Sequence, residues 1–187
     1  MGRTGPPEAE PPGTSEEEPM GDATIRPAFT SWPDMNRRLR DAVAGLTPDQ
    51  LACTAGPDRW PLWAVVGHLA CQRVFWLCDF AGEPGADTTR FTNAAFDCPG
   101  DDDLENALDA AALVEALDTT FAIVERCLDE WTLAMLGESI SHPDWGDDWV
   151  RTRGEVIQRV LMHDVWHVVE ANEVLAAEGL ATIDPWS

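Results

Sequence analysis

Four histidines, His68, His142, His163 and His167, are the residues in this 187-residue chain whose type and spacing could do chemistry. His163 and His167 stand four apart in MHDVWHVVEANEVL, so on a helix they stack one turn above the other on a single face. That face also carries Val156, Val160, Ala171 and Val174, the stripe expected to meet a core. His68 lies in WAVVGHLAC, at helical spacing from Val65, Cys71, Gln72 and Phe75. Three imidazoles directed into an apolar interior must each find a partner or carry a desolvation cost. One divalent metal answers all three. Ligands at i and i+4 converge on an ion, and a third from a facing helix completes one side of a tetrahedron. Neutral imidazoles leave the +2 charge unquenched, so the open position favours an anion, hydroxide or thiolate. Zn2+ is the first expectation, with Ni2+ or Fe2+ as alternatives because imidazole suits several metals. His142 sits in a polar, turn-rich stretch and is left out of the ligand set.

Other motifs fit less well. His163-Asp164-Val165-Trp166-His167 has the spacing of the zincin HExxH, but Asp164 stands where the Glu base belongs, and no downstream third ligand follows. The His163-Asp164 pair matches the HD phosphohydrolases only as a dipeptide; their further Asp would have to come from a core helix, and Asp184 lies beyond the last one. There is neither a G-x-S-x-G elbow nor a glycine-rich phosphate loop. Asp101-Asp102-Asp103 lacks the Gly and terminal Glu of an EF-hand and reads as a solvated acidic run.

Four helices must position the histidines. The first is predicted over 31–44, capped by Ser31 or Thr30, with TPDQL as a short helical turn after it. The second runs from 61 to 80 and stops at Gly82. A long Gly-, Pro- and Asp-rich connection to Leu108 suggests a crossover spanning a bundle, or a functional loop. The third covers 110–131, with Leu113, Leu117, Phe121, Val124 and Leu128 as its buried stripe. A small hairpin follows, with Asp144-Trp145-Gly146-Asp147 near its turn. Thr152 and Glu155 form a capping box that opens the fourth helix, which Gly179 ends. The expected architecture is an all-α four-helix bundle over 25–187, preceded by a disordered, Pro/Glu-rich acidic tail over 1–24.

Composition limits the partners. Twelve basic residues, all Arg, face 34 acidic ones, for a formal net charge of −22. Such a chain is a poor nucleic-acid binder and a poor match for anionic membrane surfaces. No stretch is long and apolar enough for a bilayer span, and the N-terminus lacks a secretory h-region, so a cytoplasmic location is expected. Cys53, Cys71, Cys78, Cys98 and Cys127 are odd in number and form no CxxC, and are read as buried small hydrophobes. Trp131, Trp145 and Trp149 flank the hairpin, where core packing or the wall of a substrate mouth would each use them. Gln72, Asp79, Asp164 and Glu170 are near enough in sequence to orient the imidazoles, with nothing to rank them.

The second-helix segment WPLWAVVGHLACQ and the fourth-helix segment TRGEVIQRVLMHDVWHVVEANEVL resemble the DinB-like superfamily, over about 29–180. This superfamily includes YfiT-like metal-dependent hydrolases and thiol-dependent S-transferases. Its pattern of one second-helix His and a fourth-helix H-x3-H falls on His68, His163 and His167. Mycothiol-dependent maleylpyruvate isomerases look similar but place Glu at the position of His163, so the three-His, bacillithiol-transferase-like form matches better. The resemblance implies a metal at one end of the bundle core and a low-molecular-weight thiol (mycothiol, bacillithiol or glutathione) transferred to an electrophilic substrate, or used in isomerisation. The lack of Lys and Tyr hints at GC-rich coding, which favours mycothiol. The resemblance also implies a homodimer. The rival readings are a hydrolase that activates water on the same metal, and a non-catalytic bundle that binds a small molecule or partner with its histidines packed in the core.

Overall fold

Helix starts and stops fall where the side chains dictate. The computed structural model describes residues 1, 23–93, 98–99, 104–142, 144–146 and 148–184. Helix α1 spans Trp32–Ala44, with Pro33 in its first turn, where a missing N–H costs nothing; the Ser31 hydroxyl, expected to cap it, makes no cap bond. One turn, α2 (Pro48–Leu51), is held by a Thr47/Gln50 capping box. Helix α3 covers Leu62–Val74 and widens into a π-helical segment, Phe75–Phe80, where the Ala81 N–H reaches back five residues to the Trp76 carbonyl. The sequence reading had one uniform helix there. Helix α4 (Ala110–Glu130) is capped by Asp109, whose carboxylate accepts from the Ala112 N–H. Strands β1 (Ser139–Ser141) and β2 (Val150–Thr152) pair antiparallel with Ile140 opposite Arg151. Helix α5 (Arg153–Ala177) opens with the expected Thr152/Glu155 box, and Gly179 beyond its end adopts φ +68°.

The result is the expected helical bundle. Helix α3 packs against α4 and α5, and α1 packs against α4. The stripes read from the sequence are buried: Leu113, Leu117, Phe121, Val124 and Leu128 on α4, and Val156, Val160, Ala171 and Val174 on α5. The fold takes in the chain from Ala23 onward, because Ile25 donates to the Trp131 carbonyl and Leu133 to that of Ala23. The tail expected over 1–24 lies almost entirely outside the described residues, as do Asp101–Asp103 and Asp147 of the hairpin turn.

Two charged side chains occupy the middle of this core. Arg73 on α3 and Asp164 on α5 are 1% and 0% exposed, with Arg73 Nη2 2.7 Å from Asp164 Oδ2. The same carboxylate accepts from Trp32 Nε1 of α1 at 2.7 Å, and Arg73 Nη1 reaches the Leu117 carbonyl and Thr120 hydroxyl of α4 at 3.4 Å. Burial pulls the Asp164 pKa upward, against the guanidinium and the indole N–H, which hold the charged form. All four long helices therefore meet at one ion pair.

The cysteine expectation needs correcting. Cys71 and Cys98 form a disulfide, with Cα atoms 5.4 Å apart. The reason lies at Gly67, one turn earlier on α3. A Cβ there would stand 2.9 Å from Pro99 Cγ and 3.0 Å from Leu108 Cδ1, so glycine alone lets the crossover lie flat on the helix. That contact brings Cys98 onto Cys71. Buried, unpaired small hydrophobes were thus the wrong reading for this pair. Cys53, Cys78 and Cys127 remain free, and burial raises the Cys127 thiol pKa to about 12. No helix among the described residues is long and apolar enough to cross a membrane.

Truncating one member of the central pair leaves the other buried and unpaired. Asp164→Ala is expected to cost about 3–5 kcal/mol in denaturant unfolding. The double variant Arg73→Met/Asp164→Leu should recover most of that loss. Equal losses for the single and double variants would contradict an ion-pair origin.

Candidate metal centre

His68 extends from α3, and His163 and His167 from successive turns of α5, into one gap between the two helices. One ring nitrogen from each lies within 4.8 Å of the others, close to the roughly 3.4 Å separation of three nitrogens held tetrahedrally about 2.1 Å from one ion. The His163 and His167 Nε2 atoms are 3.1 Å apart, and the His68 ring lies 5.2 and 5.1 Å from theirs. His167 is buried; His68 and His163 are half-buried.

The outer partners of two rings decide their tautomers. His68 Nδ1 is 2.9 Å from the Pro99 carbonyl oxygen, which can only accept, so Nδ1 carries the proton and Nε2 presents its lone pair. His167 Nδ1 is 2.7 Å from Glu170 Oε2, and that carboxylate fixes the same tautomer. Glu170 is itself held by Arg59, at 3.3 Å. The Nδ1 of His163 is buried without a hydrogen-bond partner among the described residues. Burial first, then the neighbouring His167, His68, Arg73 and Arg159, push the His163 pKa down to about 3. Burial also lowers that of His167, against the pull of Glu170. Both shifts favour the neutral imidazole, the state a metal requires of its histidine ligands. This donor set fits a divalent cation.

Trp60 closes the cluster from the α2–α3 loop, edge-on to His68 at 5.0 Å and parallel to His167 at 6.3 Å. Asp58, in the left-handed region at φ 59°, turns that loop so that Arg59 and Trp60 reach α5. On one side, His167 lines a cavity of about 240 Å³ with Trp60 and Glu170. On the other, His163 lines a larger cavity of about 590 Å³ with Trp76 and Trp166.

The structure thus brings together His68, His163 and His167 and leaves His142 elsewhere, stacked on Trp145 at 4.6 Å. Of the residues read as orienting groups, Glu170 serves and Asp164 is diverted to Arg73. Gln72 lines the larger cavity, and Asp79 is paired electrostatically with His142. Trp131 is core, 1% exposed, whereas Trp149 is exposed. Trp60, Arg59 and the Pro99 carbonyl were not anticipated. They come from loops far in sequence, and only the three-residue spacing of His167 and Glu170 was a local signal.

Comparison with known proteins agrees with this fold. The model of the DinB superfamily matches residues 34–171. A crystal structure of a DinB-like protein from Bacillus cereus ATCC 10987 is similar, with a TM-score of 0.62 at 17% identity, covering 85% of this chain and 95% of that one. At that identity the likeness speaks for the fold. No curated protein matches the chain.

The depressed histidine gives a pH signature. An unfolded histidine takes up its proton near pH 6.5, whereas folded His163 resists until about pH 3. Lowering the pH through this window favours the unfolded chain. The metal-free protein is expected to lose stability as pH falls from 7 to 5, and His163→Gln should flatten part of that slope. Thermal melts of both proteins across the range check this; coincident slopes would contradict it.

Proposed function

The chain belongs to the DinB superfamily, and from that premise we propose that it binds a divalent metal, Zn2+ first, through His68, His163 and His167 and acts as a thiol-dependent S-transferase or isomerase. The observation that carries this reading is the convergence of three ring nitrogens, two of them with Nδ1 committed elsewhere. When bound, such an ion lowers the pKa of a small thiol beside it and so supplies a nucleophile at neutral pH.

The chain's own residues do the rest. Glu170 and the Pro99 carbonyl hold protons on His167 and His68 Nδ1, turning both Nε2 atoms inward. Trp60 packs against the His68 and His167 rings on one side of the cluster. The cavity beside His163, about 590 Å³, lies in the size range of small-molecule sites. No carboxylate joins the described cluster, so nothing quenches the cation's charge.

One observation favours the thiol over water. Hydrolysis calls for a general base near the nucleophile. The carboxylate lining the His163 side, Glu155, is engaged by Thr152, and Glu170 is engaged by His167 and Arg59. A thiol, being far more acidic than water, needs no such base.

Metal analysis of protein purified without chelators should find close to one ion per chain, lost in His68→Ala, His163→Ala and His167→Ala. Glu170→Gln should keep the ion but weaken its affinity roughly tenfold to a hundredfold. The metal-loaded protein should then conjugate monochlorobimane with mycothiol, bacillithiol or glutathione. Metal without conjugation by any of the three would move the reading to hydrolysis; no metal would leave a non-catalytic bundle.

A further inference from the structure

The larger cavity, beside His163, contains two arginines in an otherwise strongly acidic protein. Arg159 and Arg151 both line it, and neither makes an ion pair with a carboxylate among the described residues, although the chain carries 34 acids. Tryptophans hold them instead. The Arg159 guanidinium lies 4.5 Å from the centre of the Trp76 ring, and that of Arg151 lies 5.7 Å from the Trp149 ring. Stacking on a ring face restrains a guanidinium while leaving its in-plane N–H donors free. Arg151 uses one donor on the Val150 carbonyl, at 2.7 Å. The lining also includes Glu155, whose carboxylate accepts from the Thr152 N–H at 2.6 Å and serves the helix cap while also feeling the charge of Arg151, so Arg159 is the less committed of the two.

Arg159 stands four residues before His163 on α5, so both occupy one helix face. Beside these charges and the amides of Gln72 and Gln158, one strip of the wall is apolar: Trp76, Val156, Met162 and Trp166, of which Met162 and Trp166 are 64% and 67% exposed. Free guanidinium donors next to an apolar wall suit a molecule with an anionic end and a hydrophobic body.

We propose that this cavity binds a small organic acid, its carboxylate held by Arg159 and Arg151 and its body lying along Trp76 and Trp166 toward the three histidines. The electrophile of the proposed reaction is then a carboxylate-bearing molecule. That assignment of a role rests on the metal-centre reading; the anion site itself does not. The guanidinium pair also answers the long-range repulsion that a net charge of −22 imposes on any anion, by placing positive charge where the ligand docks.

The test uses the full chain, zinc-loaded and chelator-stripped, with 3-phenylpropionate and its neutral amide as probes, followed by calorimetry and by quenching of tryptophan fluorescence. The acid is expected to bind the stripped protein at least tenfold more tightly than the amide. Arg159→Gln and Arg151→Gln should each weaken the acid by about tenfold or more while leaving metal content and amide binding unchanged. An acid that binds the stripped protein no more tightly than its amide, or equally well to both variants, overturns the proposal. Binding that appears only with zinc present also overturns it, because the carboxylate would then be a metal ligand. Loss of the metal site alone would leave carboxylate binding to the stripped protein intact, so the two readings fail separately.

Discussion

Asp164 holds the bundle together at the level of the histidines. Its carboxylate receives Trp32 from α1 and Arg73 from α3, and Arg73 in turn reaches the Leu117 carbonyl and the Thr120 hydroxyl on α4. Apolar contacts between helices tolerate sliding by a fraction of a turn; a buried carboxylate bonded on three sides does not, because any shift leaves a charge unpaired in a medium that cannot solvate it. Asp164 is adjacent to His163, and Arg73 lies five residues beyond His68. The pair that fixes α3 against α5 therefore also fixes the spacing of the three imidazoles. The cation–π contact of Arg73 with Phe121, 5.0 Å from the ring centre, and the packing of Phe121 on Trp32 extend the same constraint into the core.

Around this anchor, loops supply what helices cannot. A helix aims a ring, but its other nitrogen must find a partner from outside. For His68 that partner is the Pro99 carbonyl, brought close because Gly67 has no side chain and held by the Cys71–Cys98 link. For His167 it is Glu170, braced by Arg59 from the loop that also delivers Trp60. Both arrangements set the tautomer, and so decide which nitrogen faces the gap. The charge balance follows the same geometry. Acidic side chains dominate the surface and repel anions at a distance. The centre is neutral or positive, with Arg73 paired internally and Arg159 and Arg151 turned toward the cavity.

Much of this was legible in the sequence, and the limits of that legibility are physical. Helical periodicity, the Thr152/Glu155 cap and the Gly179 stop are local properties of the chain, so the bundle and the boundaries of α4 and α5 could be read directly. The i, i+4 spacing of His163 and His167 is likewise local, and a third histidine on another apolar stripe narrowed the candidates to His68. What only the tertiary structure decided depends on how distant segments meet. Arg73 looks like an ordinary helix arginine until α4 and α5 close over it, and Asp164 looks like a base beside His163 until its partner is known. Cys71 looks like a core thiol until the crossover returns across Gly67. Glu170 was within reach of a local reading, three residues from His167, but Trp60 and Pro99 acquire roles only through contacts between segments distant in sequence, and no pattern along the chain encodes such a contact because its free energy arises from packing, not from neighbours in sequence.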